Sequence, residues 1–198
     1  MKVHSAALLV VSVLFMAIGC GGSTPKPQPV EPEPKVKEAP RDCDPKDTKN
    51  CYEWGARYLK GVDVPIDHAL AAKMFGRGCE GGHAASCYNL GLMHNLGNGV
   101  EESEEKAAAM FGKACDLGQP EGCFNFGNRL AKGNGVTKDP KRAAAAYAKA
   151  CSNKVQEACY NLGFMYKLGR GIEKDEKKAI ELLRGACIRG FKRACGKY

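Results

Sequence analysis

The sequence predicts an all-α solenoid of four stacked helical hairpins, and three observations carry that prediction. Cysteines recur as pairs with seven residues between them, at Cys43/Cys51, Cys79/Cys87, Cys115/Cys123, Cys151/Cys159 and Cys187/Cys195, each pair 36 residues after the last. A strict period of this size marks a stacked repeat, in which one supersecondary unit cannot bury its own apolar face and leans on a neighbour. Glycine holds a constant place in every period, at 55, 91, 127 and 163 and again at 61, 97, 133 and 169. Within each period the apolar residues follow three-and-four spacing, the pattern of an amphipathic helix.

Counted from the cysteine that opens each unit, the repeats run 51–86, 87–122, 123–158 and 159–194. With that cysteine as position zero, position one is Tyr52, Tyr88, Phe124 and Tyr160, position three is Trp54, Leu90, Phe126 and Leu162, and position seven is Tyr58, His94, Leu130 and Tyr166. These share one face of a first helix with the glycine at position four, and Trp54 is expected in the core of the first repeat. Glycine inside a helix costs about 1 kcal/mol against alanine, so its recurrence on a buried face requires the close approach of a neighbouring helix. The second glycine column ends the first helix. In the loop that follows, Gly99, Gly135 and Gly171 allow positive φ, whereas the first unit reads Val62-Asp63-Val64-Pro65. Val64, Val100, Val136 and Ile172 plug the hairpin. Asp67, Ser103, Asp139 and Asp175 then place a side-chain oxygen to cap a second helix. That helix carries Ala71, Ala107, Ala143 and Ala179, each followed four residues on by Phe75, Phe111, Tyr147 or Leu183.

The run Cys-Tyr-Asn-Leu-Gly-Phe-Met-Tyr-Lys-Leu-Gly-Arg-Gly-Ile at 159–172, with Lys178-Ala179 beyond it, resembles a Sel-one-like repeat, a helical hairpin related to tetratricopeptide repeats. The resemblance covers residues 51–194 at four copies and implies a right-handed α/α solenoid. The cysteine pairs further resemble the secreted, cysteine-rich Hcp branch of that family, in which each seven-residue spacing is closed by a disulfide. Elimination points the same way. Pairing 51 with 79, 87 with 115, 123 with 151 and 159 with 187 strands Cys43 and Cys195, whereas closing each short loop uses all ten. Members of the Hcp branch are described as penicillin-binding proteins with weak β-lactamase activity, so the resemblance also implies a hydrolase as the alternative to a binding scaffold.

At the N-terminus, Lys2 and His4 precede an apolar run from Ala6 to Ile18. At about 13 residues it is shorter than the roughly 20 a bilayer-spanning helix needs, so residues 1–19 read as a cleaved signal peptide. Ala17-Ile18-Gly19-Cys20 resembles the lipobox of bacterial lipoproteins, which implies lipidation at Cys20, and Gly21 resembles those sent to the outer membrane. Residues 20–42 form a proline-rich tether, and the repeat domain is expected over 43–198. Ten cysteines beyond Cys20 suit an oxidising compartment. The expected location is the outer membrane, facing periplasm or cell surface, with membrane contact through the lipid alone. The formal charge of +8 leaves +7 in residues 43–198 once Lys2 is subtracted, because the tether's charges cancel. That excess favours acidic partners; no nucleic-acid motif accompanies it.

No metal or cofactor is expected: zinc sites space cysteines two to four residues apart, the mature chain holds only His68, His83 and His94, and a haem attachment motif is missing. Ser-x-x-Lys occurs at Ser23–Lys26, in the tether, and at Ser103–Lys106, in the capping column; Ser-Asp-Asn and Lys-Thr-Gly do not occur, and no catalytic residue is assigned. Glu101-Glu102-Ser103-Glu104-Glu105 reads as a solvated helix start. On a helical wheel, positions two, six and nine of the first helix fall at about 200°, 240° and 180°, opposite the cysteine face. They are expected to line a concave groove. Position two reads Glu53, Asn89, Asn125 and Asn161; positions six and nine read Arg57 and Lys60, Met93 and Leu96, Arg129 and Lys132, then Met165 and Leu168. Basic and apolar pairs thus alternate beside asparagine amides, which suits an extended peptide or cell-wall fragment such as a muropeptide, with a β-lactam as the ligand of the hydrolase alternative. Cys20→Ser is expected to abolish metabolic lipid labelling and release the protein from membranes; unchanged membrane association would count against the anchor.

Overall fold

A computed structural model describes residues 39–198; the signal peptide, Cys20 and the tether as far as residue 38 lie outside the described residues. Eight α-helices of 13 residues each follow in order: α1 (Thr48–Lys60), α2 (His68–Glu80), α3 (Ala84–Leu96), α4 (Glu104–Asp116), α5 (Pro120–Lys132), α6 (Pro140–Ser152), α7 (Gln156–Leu168) and α8 (Glu176–Ile188). A 3-10 turn at Lys192–Ala194 closes the stack, and no strand occurs among the described residues. Each element packs on its sequence neighbours, so α1/α2, α3/α4, α5/α6 and α7/α8 form the hairpins of an all-α solenoid.

The caps explain where the helices start and stop. Asp67, Ser103, Asp139 and Asp175 accept hydrogen bonds from the amides three residues ahead, at Leu70, Lys106, Arg142 and Lys178. The first helix of every hairpin ends on a left-handed glycine, at 61, 97, 133 and 169. The first hairpin makes the same turn as the others despite its different sequence, because Asp63 adopts φ +61 where Gly99, Gly135 and Gly171 sit in the later units. The reason lies in stacking. A Cβ on Gly99 would overlap the carbonyl of His68 in the preceding hairpin, whereas Asp63 has no preceding hairpin to meet. Aspartate is among the few non-glycine residues that tolerate this backbone region.

Inside each hairpin the recurrent glycine of the first helix receives a side chain from the second. A Cβ on Gly55, Gly91 or Gly127 would stand 2.7–2.8 Å from the ring of Phe75, Phe111 or Tyr147, and one on Gly163 would stand 2.9 Å from Leu183. The buried core runs along this seam and continues between hairpins, as where Leu130, Tyr147 and Ala150 pack with Ala158, Leu162 and Met165.

Five disulfides close, Cys43–Cys51, Cys79–Cys87, Cys115–Cys123, Cys151–Cys159 and Cys187–Cys195. Three join the second helix of one hairpin to the first helix of the next, and the outer two join the terminal segments to the stack. A loop this short contributes roughly 2–3 kcal/mol by restricting the unfolded chain.

Cys51, Cys87, Cys123 and Cys159, expected from the sequence as disulfide clips, close as such and are also core. Each is 2% exposed or less, so none can meet a ligand. The physical reason is their position on the helix. Position zero lies on the same side as the glycine seat, where the second helix of the same hairpin covers it, as Cys87 packs with Ala114 and Cys159 with Ala186. Their Sγ atoms stand 3.2, 3.7, 3.5 and 3.6 Å from the carbonyl oxygens of Asp44, Cys79, Cys115 and Cys151. A disulfide sulfur carries no proton to donate, so these approaches are packing contacts and not hydrogen bonds.

The ordered contacts begin ahead of Cys43, so the tether expected to run through Asp42 ends earlier. Ala39 packs on the first core cluster, Tyr58 donates to the Pro40 carbonyl at 2.9 Å, and Asp42 pairs with Lys73 at 2.9 Å and Arg77 at 3.4 Å. Lys73 above all holds the Asp42 carboxyl down, at about 2.

His83 caps α3 through its ring: Nδ1 accepts from the Ser86 amide at 3.2 Å and lies 2.9 Å from the Ser86 hydroxyl. Accepting from the amide requires that nitrogen to be unprotonated, and burial holds the imidazole below its ordinary 6.5. The stabilisation is therefore complete above pH 6.5 and falls as pH drops toward the lowered folded value, because the unfolded chain binds the proton first. His83→Asn, which keeps a capping oxygen, is expected to remove the part of the stability loss between pH 7 and 5 that belongs to this ring, read from thermal unfolding midpoints.

The glycine seats generate a paired prediction. Gly91→Ala gains helix propensity but drives a methyl into Phe111, and such overpacking costs about 1–3 kcal/mol, so the melting temperature is expected to fall. Gly76→Ala, on α2 with nothing within 4 Å of the new methyl, is expected to raise stability by about 0.5–1 kcal/mol. Calorimetry of the two oxidised variants checks both signs.

Candidate ligand-binding face

The three positions expected to line a groove do not share one environment. Position nine behaves as a surface: Lys60, Leu96, Lys132 and Leu168 are all exposed, Leu96 at 61% and Leu168 at 53%. Position six does not. Met93 is 3% exposed and packs with Tyr58, Ala71, Met74 and Phe75 of the preceding hairpin, and Met165 is 8% exposed against Leu130 and Tyr147. Arg129, in the same column, leans back onto α3 and α4. It pairs with Glu104 at 3.1 Å, donates to Asn95, and stands over the Phe111 ring at 6.0 Å. Only Arg57, with no hairpin before it, remains exposed, lying over Trp54 at 4.9 Å. Position six therefore stacks hairpins, and the expected alternation of basic and apolar pairs in a groove is corrected accordingly: a wheel drawn for one helix cannot show that the neighbouring repeat covers that side. Trp54 is half-buried against the first core cluster.

The asparagines of position two divide in their bonding. Asn89 donates to Ala85 within its own helix at 3.0 Å. Asn125 lies beside the Tyr88 hydroxyl, whose acidity burial suppresses and this amide partly restores. Asn161 donates to Oδ1 of Asn128 at 3.3 Å, and that oxygen also accepts from the Tyr147 hydroxyl at 2.7 Å. Burial pushes the Tyr147 phenol up to about 12, so it stays a donor at neutral pH. Glu53 is exposed and forms a loose pair with Lys49 at 3.9 Å.

Two adjoining clefts open along α3, α5 and α7. The smaller, about 300 Å³, is lined by Leu92, Asn95, Asn125, Asn128, Arg129 and Lys132 with Glu104, Phe111 and Asn134. The larger, about 740 Å³, has Tyr147, Tyr160, Asn161, Phe164, Met165 and Leu168 in its wall and Lys132, Lys138 and Arg170 among its polar groups, with no carboxylate in the lining. Asn128 and Lys132 belong to both. None of the ten disulfide cysteines lines either cleft. The residues that sequence reasoning missed are those of position five, Ala56, Leu92, Asn128 and Phe164. The same wheel puts them at about 140°, close to position nine, but their chemistry changes at every repeat, so no column drew the eye.

A wider space of about 1050 Å³ beside the α7–α8 loop, lined by Lys141, Tyr166, Ile172, Lys174 and Glu176 among others, is the free ledge of the last hairpin. Internal ledges at His68, Glu104 and Pro140 each receive the loop glycine of the next unit, and Glu176 stands next in that series.

The three serines among the described residues have structural employment. Ser103 caps α4 and donates to Glu105, Ser86 is fully buried beside His83, and Ser152 bonds the Lys149 carbonyl at the end of α6. Of the acidic run, Glu101 pairs with Lys106 and Glu104 with Arg129 and Asn134. Among the described residues no cluster of three metal-ligating side chains forms, and no helix is long and apolar enough to cross a membrane.

Comparison with known proteins agrees with this geometry. The chain superposes on the crystal structure of a Sel1 repeat protein from Oxalobacter formigenes with TM-score 0.72 at 25% identity, covering 75% of this chain and 61% of that one. It superposes on c5321, a protective antigen of uropathogenic Escherichia coli displaying an SLR fold, with TM-score 0.70 at 30% identity over 74% of this chain and 32% of that one. Helicobacter pylori cysteine rich protein B aligns at 28% identity over 77% of this chain and 97% of that one, with TM-score 0.49. The chain thus spans less than two thirds of the first two relatives. No curated protein matches it. The model of the Sel1 repeat matches four times in succession, over residues 51–83, 84–119, 120–155 and 156–191. With the period, the glycine seats and the hairpin stack all in register with that model, the chain belongs to the Sel1 repeat family.

Proposed function

We propose that this protein is an exported interaction scaffold that holds an extended peptide segment, of a protein or of the cell wall, across the face of α3, α5 and α7. The single observation that carries the reading is the pair of adjoining clefts on that face, which share Asn128 and Lys132 and run over three successive hairpins. A surface of this kind suits an extended chain, whose backbone groups meet side-chain amides while its side chains enter separate recesses. Repeat scaffolds use their regular stacking to present such elongated surfaces. The five disulfides support maturation in an oxidising compartment, and the lipobox-like run ending at Cys20 supports delivery to the outer membrane, facing the periplasm or the cell surface.

The test is a random peptide library displayed on phage and panned against the oxidised protein, followed by amide chemical-shift mapping of the enriched peptides. Shifts are expected to cluster on Leu92, Asn125, Asn128, Phe164 and Leu168. Leu92→Asp with Phe164→Asp is expected to weaken binding by about tenfold or more, the cost of removing two buried apolar contacts. Shifts confined to α2, α4, α6 and α8 would overturn the reading.

A further inference from the structure

The three stripes of the proposed ligand face, each pairing a half-buried residue with an exposed one, differ in chemistry in a definite order. At positions five and nine, α3 carries Leu92 and Leu96, α5 carries Asn128 and Lys132, and α7 carries Phe164 and Leu168. Residues four apart on a helix stand on one side, so each pair forms a patch, and the only polar patch lies between two apolar ones. Its polarity is of one kind. The Asn128 oxygen is occupied twice, by the Tyr147 hydroxyl at 2.7 Å and the Asn161 amide at 3.3 Å, which leaves the Asn128 NH₂ free to donate. That nitrogen has no protein acceptor among the described residues, and Lys132, exposed one turn on, has no carboxylate partner there either. Lys138 and Arg170 add positive charge to the larger cleft, whose lining contains no carboxylate.

From this arrangement, and resting on the reading of this face as a ligand surface, we infer that the scaffold recognises an acidic side chain flanked on both sides by apolar residues. The carboxylate is held by the Asn128 amide and the Lys132 ammonium, and the apolar neighbours lie on Leu92/Leu96 and on Phe164/Leu168. The spacing follows from the stack. Neighbouring first helices touch through side chains, as Arg129 touches Asn95 and Asn161 touches Asn128. Packed helices stand about 8–10 Å apart and an extended chain rises about 3.3 Å per residue, so one repeat corresponds to about three residues. The ligand class is therefore apolar-x-x-Asp/Glu-x-x-apolar. A charge-assisted hydrogen bond to an immobilised amide is stronger than a neutral one, and it makes the central acid the discriminating residue. A basic residue at that place would meet Lys132 and be rejected.

The test uses two acetylated, amidated heptapeptides, Leu-Ser-Ser-Glu-Ser-Ser-Phe and its reverse, together with versions carrying Gln in place of Glu, titrated into the purified oxidised protein by calorimetry. In at least one orientation the Glu peptide is expected to bind about tenfold tighter than its Gln twin, and Lys132→Glu is expected to erase that preference with an unchanged melting temperature. Asn128→Ala is expected to reduce the preference as well, but it also disturbs Tyr147, so Lys132→Glu is the deciding variant. Equal affinity for Glu and Gln peptides, a preference that survives Lys132→Glu, or no measurable binding of either Glu orientation would overturn the inference. If Glu and Gln peptides bind alike and both are weakened by Leu92→Asp with Phe164→Asp, the carboxylate assignment fails while the ligand face stands. If that double variant leaves Glu-peptide affinity untouched, the ligand face fails with it.

Discussion

The stack depends on the seat between the glycine of each first helix and the bulky side chain of its partner. Without a Cβ at Gly55, Gly91, Gly127 or Gly163, the two helices of a hairpin close until an aromatic ring or Leu183 rests on bare backbone. The helix bears the propensity cost of the glycine because that contact removes a large ring from water, and the second term is the larger. Once the hairpin angle is set by this contact, the rest follows in order. The capping column finds its amides, the first helix ends on its left-handed glycine, and the loop comes to rest on the hairpin before it.

Between hairpins a different device operates. Each inner disulfide staples the second helix of one unit to the first helix of the next, and Cys87, Cys123 and Cys159, together with Cys79 and Cys115, fill core space as well as closing the loops. Position six reinforces the joint with whatever its repeat supplies. Met93 and Met165 do so by burial; Arg129 does so by pairing with Glu104 and bonding Asn95. A mobile thioether and an extended guanidinium fill the same gap by different means. The termini close in a similar way: Ala39 to Asp42 lies against α1 and α2, and Phe191 with Ala194 covers the far end, the Phe191 ring meeting Tyr160 edge-on at 5.4 Å.

A scaffold so constrained leaves few positions free for recognition. On the first helices those are position nine, which is exposed, and position five, which is half-buried. The clefts open there. On the proposed reading, two apolar patches with an amide and an ammonium between them form a surface whose specificity would come from the middle hairpin and whose contact area would come from its neighbours.

Periodicity alone settled most of the architecture. Invariant columns of cysteine, glycine and capping oxygen are visible in one dimension because each repeat imposes the same local demand, and a backbone that must turn or approach closely admits few residue types. Asp63 shows the limit of that logic: its departure from glycine was legible, but its adoption of the same turn depended on there being no hairpin upstream to collide with. The proposed ligand face was legible only in part. Positions two and nine were found from the wheel, whereas Met93 was misplaced in a groove, Arg129 and Met165 reach the cleft walls while packing mainly on the hairpin before them, and Leu92, Asn128 and Phe164 were passed over. Spacing likewise exposed Cys51, Cys87, Cys123 and Cys159 as clips, but their closure from solvent came from the helices packed over them. A helical wheel records which residues share a side of one helix, but which side the neighbouring repeat covers is set by the packing of hairpin on hairpin. Sequence determined the unit and its count; the stacking decided which of its side chains remain in contact with solvent.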